Sequence, residues 1–282
     1  MTLRRMNYNH KIILLFILIV ILVVTVGCID RMEDVDVEST NIDEYEFEIY
    51  FNESLDSTHI KNTTSVYLSS NDTVKSVHMI RNTKRLEVVP MEQFIRSGET
   101  ITNVVTLVEP VTKNEGTVEG IEILKEKIKK NDISDVEYNI SKEVIRGREH
   151  IFIDFEEKVT GFVAYTLVNQ GRQNYVHTVN TPSVVRIILP ESYTTGNRVL
   201  GYPRPTYDSK YEDDKGRKVL TWYKIENNSD DFREIITIGF YEKSAPLILT
   251  YVSIMILMLS FAIITNYYKN KRKRNDLQDE IK

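Results

Sequence analysis

The sequence predicts a mainly β chain: an extracytoplasmic, antiparallel β-sandwich-like region with one short amphipathic helix, followed by a C-terminal transmembrane helix and preceded by an N-terminal signal segment. Three observations predict it. Short runs of alternating apolar and polar residues, rich in β-branched and aromatic types, recur from Tyr45 to Tyr241 with turn-forming residues between them. Gly116 to Asn131 switches to a helical period. Leu247 to Thr265 then runs for nineteen residues without a charge.

The apolar run sets the topology. At the ~1.5 Å rise per residue of a helix it spans about 28 Å, close to the ~30 Å hydrocarbon core of a bilayer. Pro246 opens it, and Asn266, Tyr267, Tyr268 and the basic run Lys269 to Arg274 close it. Paired tyrosines suit the membrane interface, and the positive-inside bias assigns the basic side to the cytoplasm. The expected order is therefore a transmembrane helix at 246–268, a basic cytoplasmic tail at 269–282 and an extracytoplasmic region at 29–245.

At the other end, Arg4, Arg5 and Lys11 precede an apolar run from Ile12 to Val26 that ends in Thr25-Val26-Gly27-Cys28. A charged n-region, an apolar h-region and a small residue before the cut make a secretory signal, and the tetrapeptide resembles a lipobox, which assigns lipidation to Cys28. The alternative is a retained N-terminal transmembrane helix at 12–29. Cys28 is the single cysteine of the chain, so an intrachain disulfide is not possible. Residues 1–28 form the signal segment under the first reading. Residues 29–44 are acidic and poor in large apolar groups, the composition of a tether.

Strands are expected at Tyr45–Phe51, 64–68, 74–80, 85–89 and 101–108, making a first β-rich half at 45–115. A second half at 132–245 holds strands at 136–145, 151–155, 161–168, 184–189, 219–225 and 234–241. Val184 to Leu189 barely alternates, as in a strand covered on both faces. Between the halves, at 116–131, Ile121, Leu124 and Ile128 share one face of a connector helix flanked by charges. Trp222, the one tryptophan, is expected to anchor the core of the second half.

Charge narrows the partners. The net charge is −5, but +3 sits in the first eleven residues and +3 in residues 269–282, leaving −11 between them. That excludes nucleic acid, whose binding draws on Lys and Arg replacing counterions. A lipid bilayer and envelope proteins remain.

Several short features in order, namely the Cys28 tetrapeptide, Leu189-Pro190, Leu200-Gly201 running into Pro203 and Pro205, an acidic Gly-containing hairpin, Trp222 and a strand entering the last helix, give the chain a family likeness. It resembles an archaeal family of lipobox-bearing, C-terminally membrane-anchored surface proteins classed only as a domain of unknown function. The resemblance is carried by the ends and by residues 183–246, and it implies topology and compartment rather than chemistry.

No catalytic motif appears in the sequence. His10, His59, His78, His150 and His177 are scattered, no two at the spacing of a helical zinc pair, so no metal and no cofactor are expected. Asp208 with Glu212-Asp213-Asp214 is the densest acidic cluster, and its order fits a solvated hairpin rather than a calcium loop. Asn52, Asn62, Asn71, Asn139 and Asn227 head Asn-x-Ser/Thr acceptors, plausible glycosylation sites in an exported region. Tyr202, Arg204 and Tyr207, interleaved with Pro203 and Pro205, form a candidate contact loop, since Tyr and Arg dominate interface hot spots. The favoured function is a non-enzymatic structural or interaction module at the cell membrane. An accessory or sensory subunit of an envelope complex is the alternative, and an enzyme whose site is assembled from distant residues is a third class. A pocket lined by converging histidines or carboxylates would favour that third class; a flat sandwich without one would remove it.

Overall fold

The computed structural model describes residues 42–47, 62–71, 73–90, 100–111, 118–130, 135–168, 174–180, 183–223 and 234–279. The signal segment with Cys28, the acidic stretch 29–41, and the acceptors Asn52 and Asn227 lie outside them.

The described chain is mainly β, as the alternation predicts. An eight-stranded sheet runs in the order β10 (Ser209–Glu212), β11 (Lys218–Trp222), β7 (Val184–Ile188), β1 (Thr63–Leu68), β2 (Val74–Val88), β5 (Arg148–Leu167) and β3 (Ile101–Pro110), with β4 (Tyr138–Ile145) also paired to β5. A second sheet holds β6 (Asn174–Val179), β12 (Glu234–Gly239) and β9 (Pro203–Arg204), while β8 (Tyr193–Thr194) pairs with β13 (Tyr241–Glu242). The large sheet draws strands from both sequence halves. Its pairings are antiparallel except β1 with β7, which run parallel. Every residue of β7 is buried, which accounts for its missing alternation.

Period-2 alternation gives the large sheet two covered faces. Val66 and Leu68 of β1, Ile80 of β2, Val163, Tyr165 and Leu167 of β5, and Ile187 of β7 face the second sheet and form one core with its Tyr175, Val179, Ile236 and Ile238. Trp222 belongs to this core and donates its indole N–H to the Pro205 carbonyl at 3.2 Å. Val77, Met79, Phe162, Ala164, Val105 and Leu107 point the other way. Helix α1 (Val118–Lys130) lays Leu124 on that outer face with Ile128 beside it, and Lys127 Nζ reaches Glu109 at 2.7 Å. Burying one leucine side chain contributes about 1.5–3 kcal/mol, enough to dock a short helix that would be marginal alone.

Tyr45 completes the outer face. The expected strand at 45–51 is not found in its described part: Ile42–Glu44 is a single 3-10 turn and residues 45–47 pair with no strand. Tyr45 instead packs into the outer-face cluster, donates to the Asn103 carbonyl at 2.7 Å and bonds Thr166 Oγ1 at 2.9 Å, and burial pushes its hydroxyl pKa up to about 12. Glu46 beside it takes both terminal nitrogens of Arg217, at 2.9 and 2.8 Å, while Lys215 donates to it at 2.6 Å. The apolar alternation of Tyr45 and Phe47 is thus used in anchoring the chain, not in pairing it.

Two pairs of expected strands are each one strand. Arg81-Asn-Thr-Lys84 reads as a turn, yet β2 passes through it on a bulge with Asn82 at φ 49°. Glu156-Glu-Lys158 also reads as a loop, but these three exposed residues form a bulge in β5, between Asp154 opposite Arg85 and Val159 opposite Thr83, and the strand continues. In the reverse sense, 234–241 divides at Phe240 into β12 and β13. Gly161 permits the long β5 to lie against β3: with φ at 153°, a Cβ there would stand 2.7 Å from the Val108 Cα and closer still to the Leu107 carbonyl oxygen.

After Ser244, whose carbonyl accepts from Leu247 and Ile248 N–H, helix α2 (Ala245–Asp279) leaves the sheet. Its segment Ala245–Arg272 is 28 residues long, contains an 18-residue stretch of mean hydropathy 2.6, and is long and apolar enough to cross a membrane. Thr250, Ser253, Ser260 and Thr265 each return their hydroxyl to the carbonyl four residues back, so these four hydroxyls are satisfied within the helix.

Candidate functional site

Among the inner-face positions that break the apolar rule of the core, five lie together around one cavity. Thr64 and His78 are cross-strand partners in β1 and β2, Tyr165 stands on β5, and Tyr175 and His177 alternate on β6, which faces them from the second sheet. They line a cavity of about 200 Å³, whose walls also include Asn62, Thr178, Asn180 and Ser183. The strands hold these side chains in place because their neighbours on the same face, Val66, Ile80, Val163 and Val179, are packed core residues.

A chain of hydrogen bonds crosses the cavity wall. Thr64 Oγ1 meets His78 Nδ1 at 3.0 Å, and His78 Nε2 meets the Tyr165 hydroxyl at 2.8 Å, with the two rings stacked at 5.2 Å. On the facing strand Tyr175 stacks on His177 at 6.3 Å, and its hydroxyl lies 3.4 Å from His177 Nδ1. Both polar atoms of the Asn180 amide are enclosed, and neither has a hydrogen-bond partner among the described residues.

The electrostatics follow from burial. Removal from water pushes the His78 pKa down to about 3, with the nearby His177 adding to the effect, and pushes His177 down to about 4. The same burial raises Tyr165 and Tyr175 well above the ordinary phenol value. At neutral pH all four are therefore uncharged. Arg85 and Glu87 border the cavity but turn their charges to the opposite face of β2: Arg85 Nε pairs with Asp154 at 2.5 Å over the Phe152 ring, and Glu87 meets His150 Nδ1 at 2.5 Å. Neither histidine stands near the pKa of about 7 that suits a general acid or base at neutral pH. The arrangement can hold a molecule by hydrogen bonds more readily than it can move a proton.

The residues singled out from sequence are dispersed. Arg204 sits on β9, at the edge of the second sheet, with its guanidinium 4.6 Å over the Tyr202 ring; Tyr207 instead packs against the core. Asn71 accepts from Ser69 and Thr73 at 2.6 Å in the β1–β2 turn, Asn139 is exposed on β4, and Asn62 stands at the cavity. In the acidic hairpin, Asp213 accepts from the backbone N–H of Lys215 and Arg217 and from the Arg217 side chain, and Asp208 accepts from Tyr223 N–H at 2.7 Å; these carboxylates tie the turn. Sequence reasoning missed the cavity because its histidines lie far apart in the chain. The available signal was local: Thr64, His78, Tyr175 and His177 occupy inner positions of alternating strands where apolar residues belong.

The architecture defines a class, a β-rich protein of two facing sheets with a polar cavity between them and a C-terminal helix fit to cross a membrane. A family model described as a family of unknown function (DUF5803) matches residues 60–281, and the chain belongs to that family. The match extends well beyond the 183–246 stretch that carries the resemblance in sequence. A search of curated proteins returns no match.

The neutral histidines fix a pH dependence. Their folded-state values lie below the 6.5 of a free imidazole, so the unfolded chain takes up protons first as pH falls. The stability they contribute is complete above pH 6.5 and is lost as pH falls toward 4 and then 3. Replacing His177 with Gln should flatten the pH slope of unfolding stability, measured by denaturation of the full chain in detergent, by up to about 1.4 kcal/mol per pH unit below 6.5. An unchanged slope would show that His177 is protonated in the folded state.

Proposed function

We propose that this chain is a membrane-anchored surface protein whose β region lies outside the cytoplasmic membrane and acts there as a non-enzymatic interaction or structural module of the envelope. The observation that carries the reading is the passage from β13 into α2. Only Lys243 and Ser244 separate the last strand from a helix whose apolar side chains point away from the rest of the protein and whose Thr250, Ser253, Ser260 and Thr265 hydroxyls are satisfied internally. Such a surface costs free energy in water and is at home in hydrocarbon. Tyr267 and Tyr268, packed edge to face at 5.7 Å, and the basic run from Lys269 follow it, as at a cytoplasmic interface. Lipidation at Cys28, or a retained helix at 12–29, would supply a second attachment. The cavity does bring His78 and His177 together, the arrangement that favours an enzyme, but burial holds both imidazoles well below the range of a proton carrier at neutral pH, and on that ground the non-enzymatic reading is preferred.

A partner surface is best sought at the edge strand β9, where Tyr202 and Arg204 stack on one another and Arg204 is exposed. Tyr207, packed on the core, belongs to the support of that edge.

Two experiments test this reading. Protease added to intact cells should digest residues 45–240 and spare a tag placed after Lys282; loss of the tag from sealed cells would reverse the orientation. Changing the exposed Arg204 to Ala should leave the melting temperature of the full chain within about 2 °C, because exposed substitutions seldom move stability, while abolishing cross-linked envelope partners. Full recovery of partners, or a large fall in melting temperature, would make the edge purely architectural.

A further inference from the structure

The cavity between the sheets has the chemistry of a binding site, independently of where the membrane lies. We infer that it holds one small, uncharged, hydroxylated ring of monosaccharide size.

Size sets the first limit. An engineered cavity of about 150 Å³ holds one benzene ring, whereas drug-sized ligands occupy roughly 300–1,000 Å³. At about 200 Å³ this cavity fits one six-membered ring with its substituents. Charge sets the second. The two bordering charged residues, Arg85 and Glu87, are committed to Asp154 and His150 on the far face of β2, and the inner face presents Thr64, His78, Tyr165, Tyr175 and His177. A charged ligand would enter with no opposite charge to meet it, at a large desolvation cost.

Hydrogen-bond chemistry sets the third. The Asn180 amide offers two donors and an acceptor, all enclosed and unpartnered among the described residues. A buried polar group left unpaired is costly and uncommon, and it points to something that satisfies it. Tyrosine, threonine and serine hydroxyls around it can each donate and accept. Ligand hydroxyls have the same dual character, so a polyhydroxylated ring can satisfy the amide in both senses. The stacked pairs His78–Tyr165 and Tyr175–His177 supply flat ring surfaces for the C–H faces of such a ring.

The test uses the full chain in detergent with four neutral probes (methyl α-glucoside, methyl β-galactoside, N-acetylglucosamine and myo-inositol) and one charged probe, glucose 6-phosphate. Saturation-transfer NMR should show binding of at least one neutral probe and none of the charged one. Tyr175→Phe, which removes one hydroxyl and keeps the ring, should weaken that binding about tenfold, as should Asn180→Ala; near-UV circular dichroism checks that both variants keep their packing. The inference is overturned if no neutral probe binds, as when the cavity holds only water, if glucose 6-phosphate binds as well as the best neutral probe, or if both folded variants bind like the parent chain.

Discussion

From Val159 to Leu167 every residue of β5 is buried, and the strand is hydrogen-bonded to β2 on one side and β3 on the other. A strand so placed must satisfy two cores at once: Phe162 and Ala164 serve the outer face under α1 and Tyr45, and Val163, Tyr165 and Leu167 serve the interior shared with the second sheet. A one-residue slip would exchange the two sets and put the Tyr165 hydroxyl under the helix, away from His78. Register is therefore strongly fixed. Gly161, where a side chain would collide with β3, fixes the approach of the neighbouring strand as well.

The polar cavity is tolerable because that frame is rigid. Burying two histidines and two tyrosines in a core costs stability unless their hydrogen bonds are made, and the frame makes most of them: Thr64 to His78, His78 to Tyr165, Tyr175 to His177. Keeping the imidazoles neutral avoids the far larger cost of an enclosed charge. The exception is Asn180, just past the end of β6, whose amide has no hydrogen-bond partner among the described residues. Local violations of core patterning inside an otherwise consistent β domain are where binding sites tend to lie.

Much of this was legible in the sequence, and what was not has particular causes. The alternation of Thr64 to Leu68 and the helical spacing of Leu124 and Ile128 report a local periodicity, and the uncharged run after Pro246 reports a length; a chain read in order shows both. The long strands β2 and β5 read as pairs of shorter ones because Asn82 is a turn former and Glu156-Glu-Lys158 a polar interruption, and both fall on register shifts that the pairing of β2 with β5 before and after them carries the strands across. The β6 strand escaped notice because His177 and Thr178 interrupt its apolar run. Tyr45 and Phe47 alternate as strand residues do, yet their rings are used to dock the chain on the sheet. The parallel contact of β1 with β7 and the meeting of His78 with His177 are long-range pairings, which periodicity cannot show.

Both cores close on β5. Stability within a domain is uneven, and amides that exchange only by global opening mark its last elements to come apart. Hydrogen exchange read by mass spectrometry on the full chain in detergent tests this directly. The account predicts that the amides of Val159 to Leu167 exchange most slowly of any outside α2, at the rate of global unfolding, while those of the exposed strand β4 open orders of magnitude sooner. Exchange of Val159 to Leu167 as fast as that of β4 would contradict it.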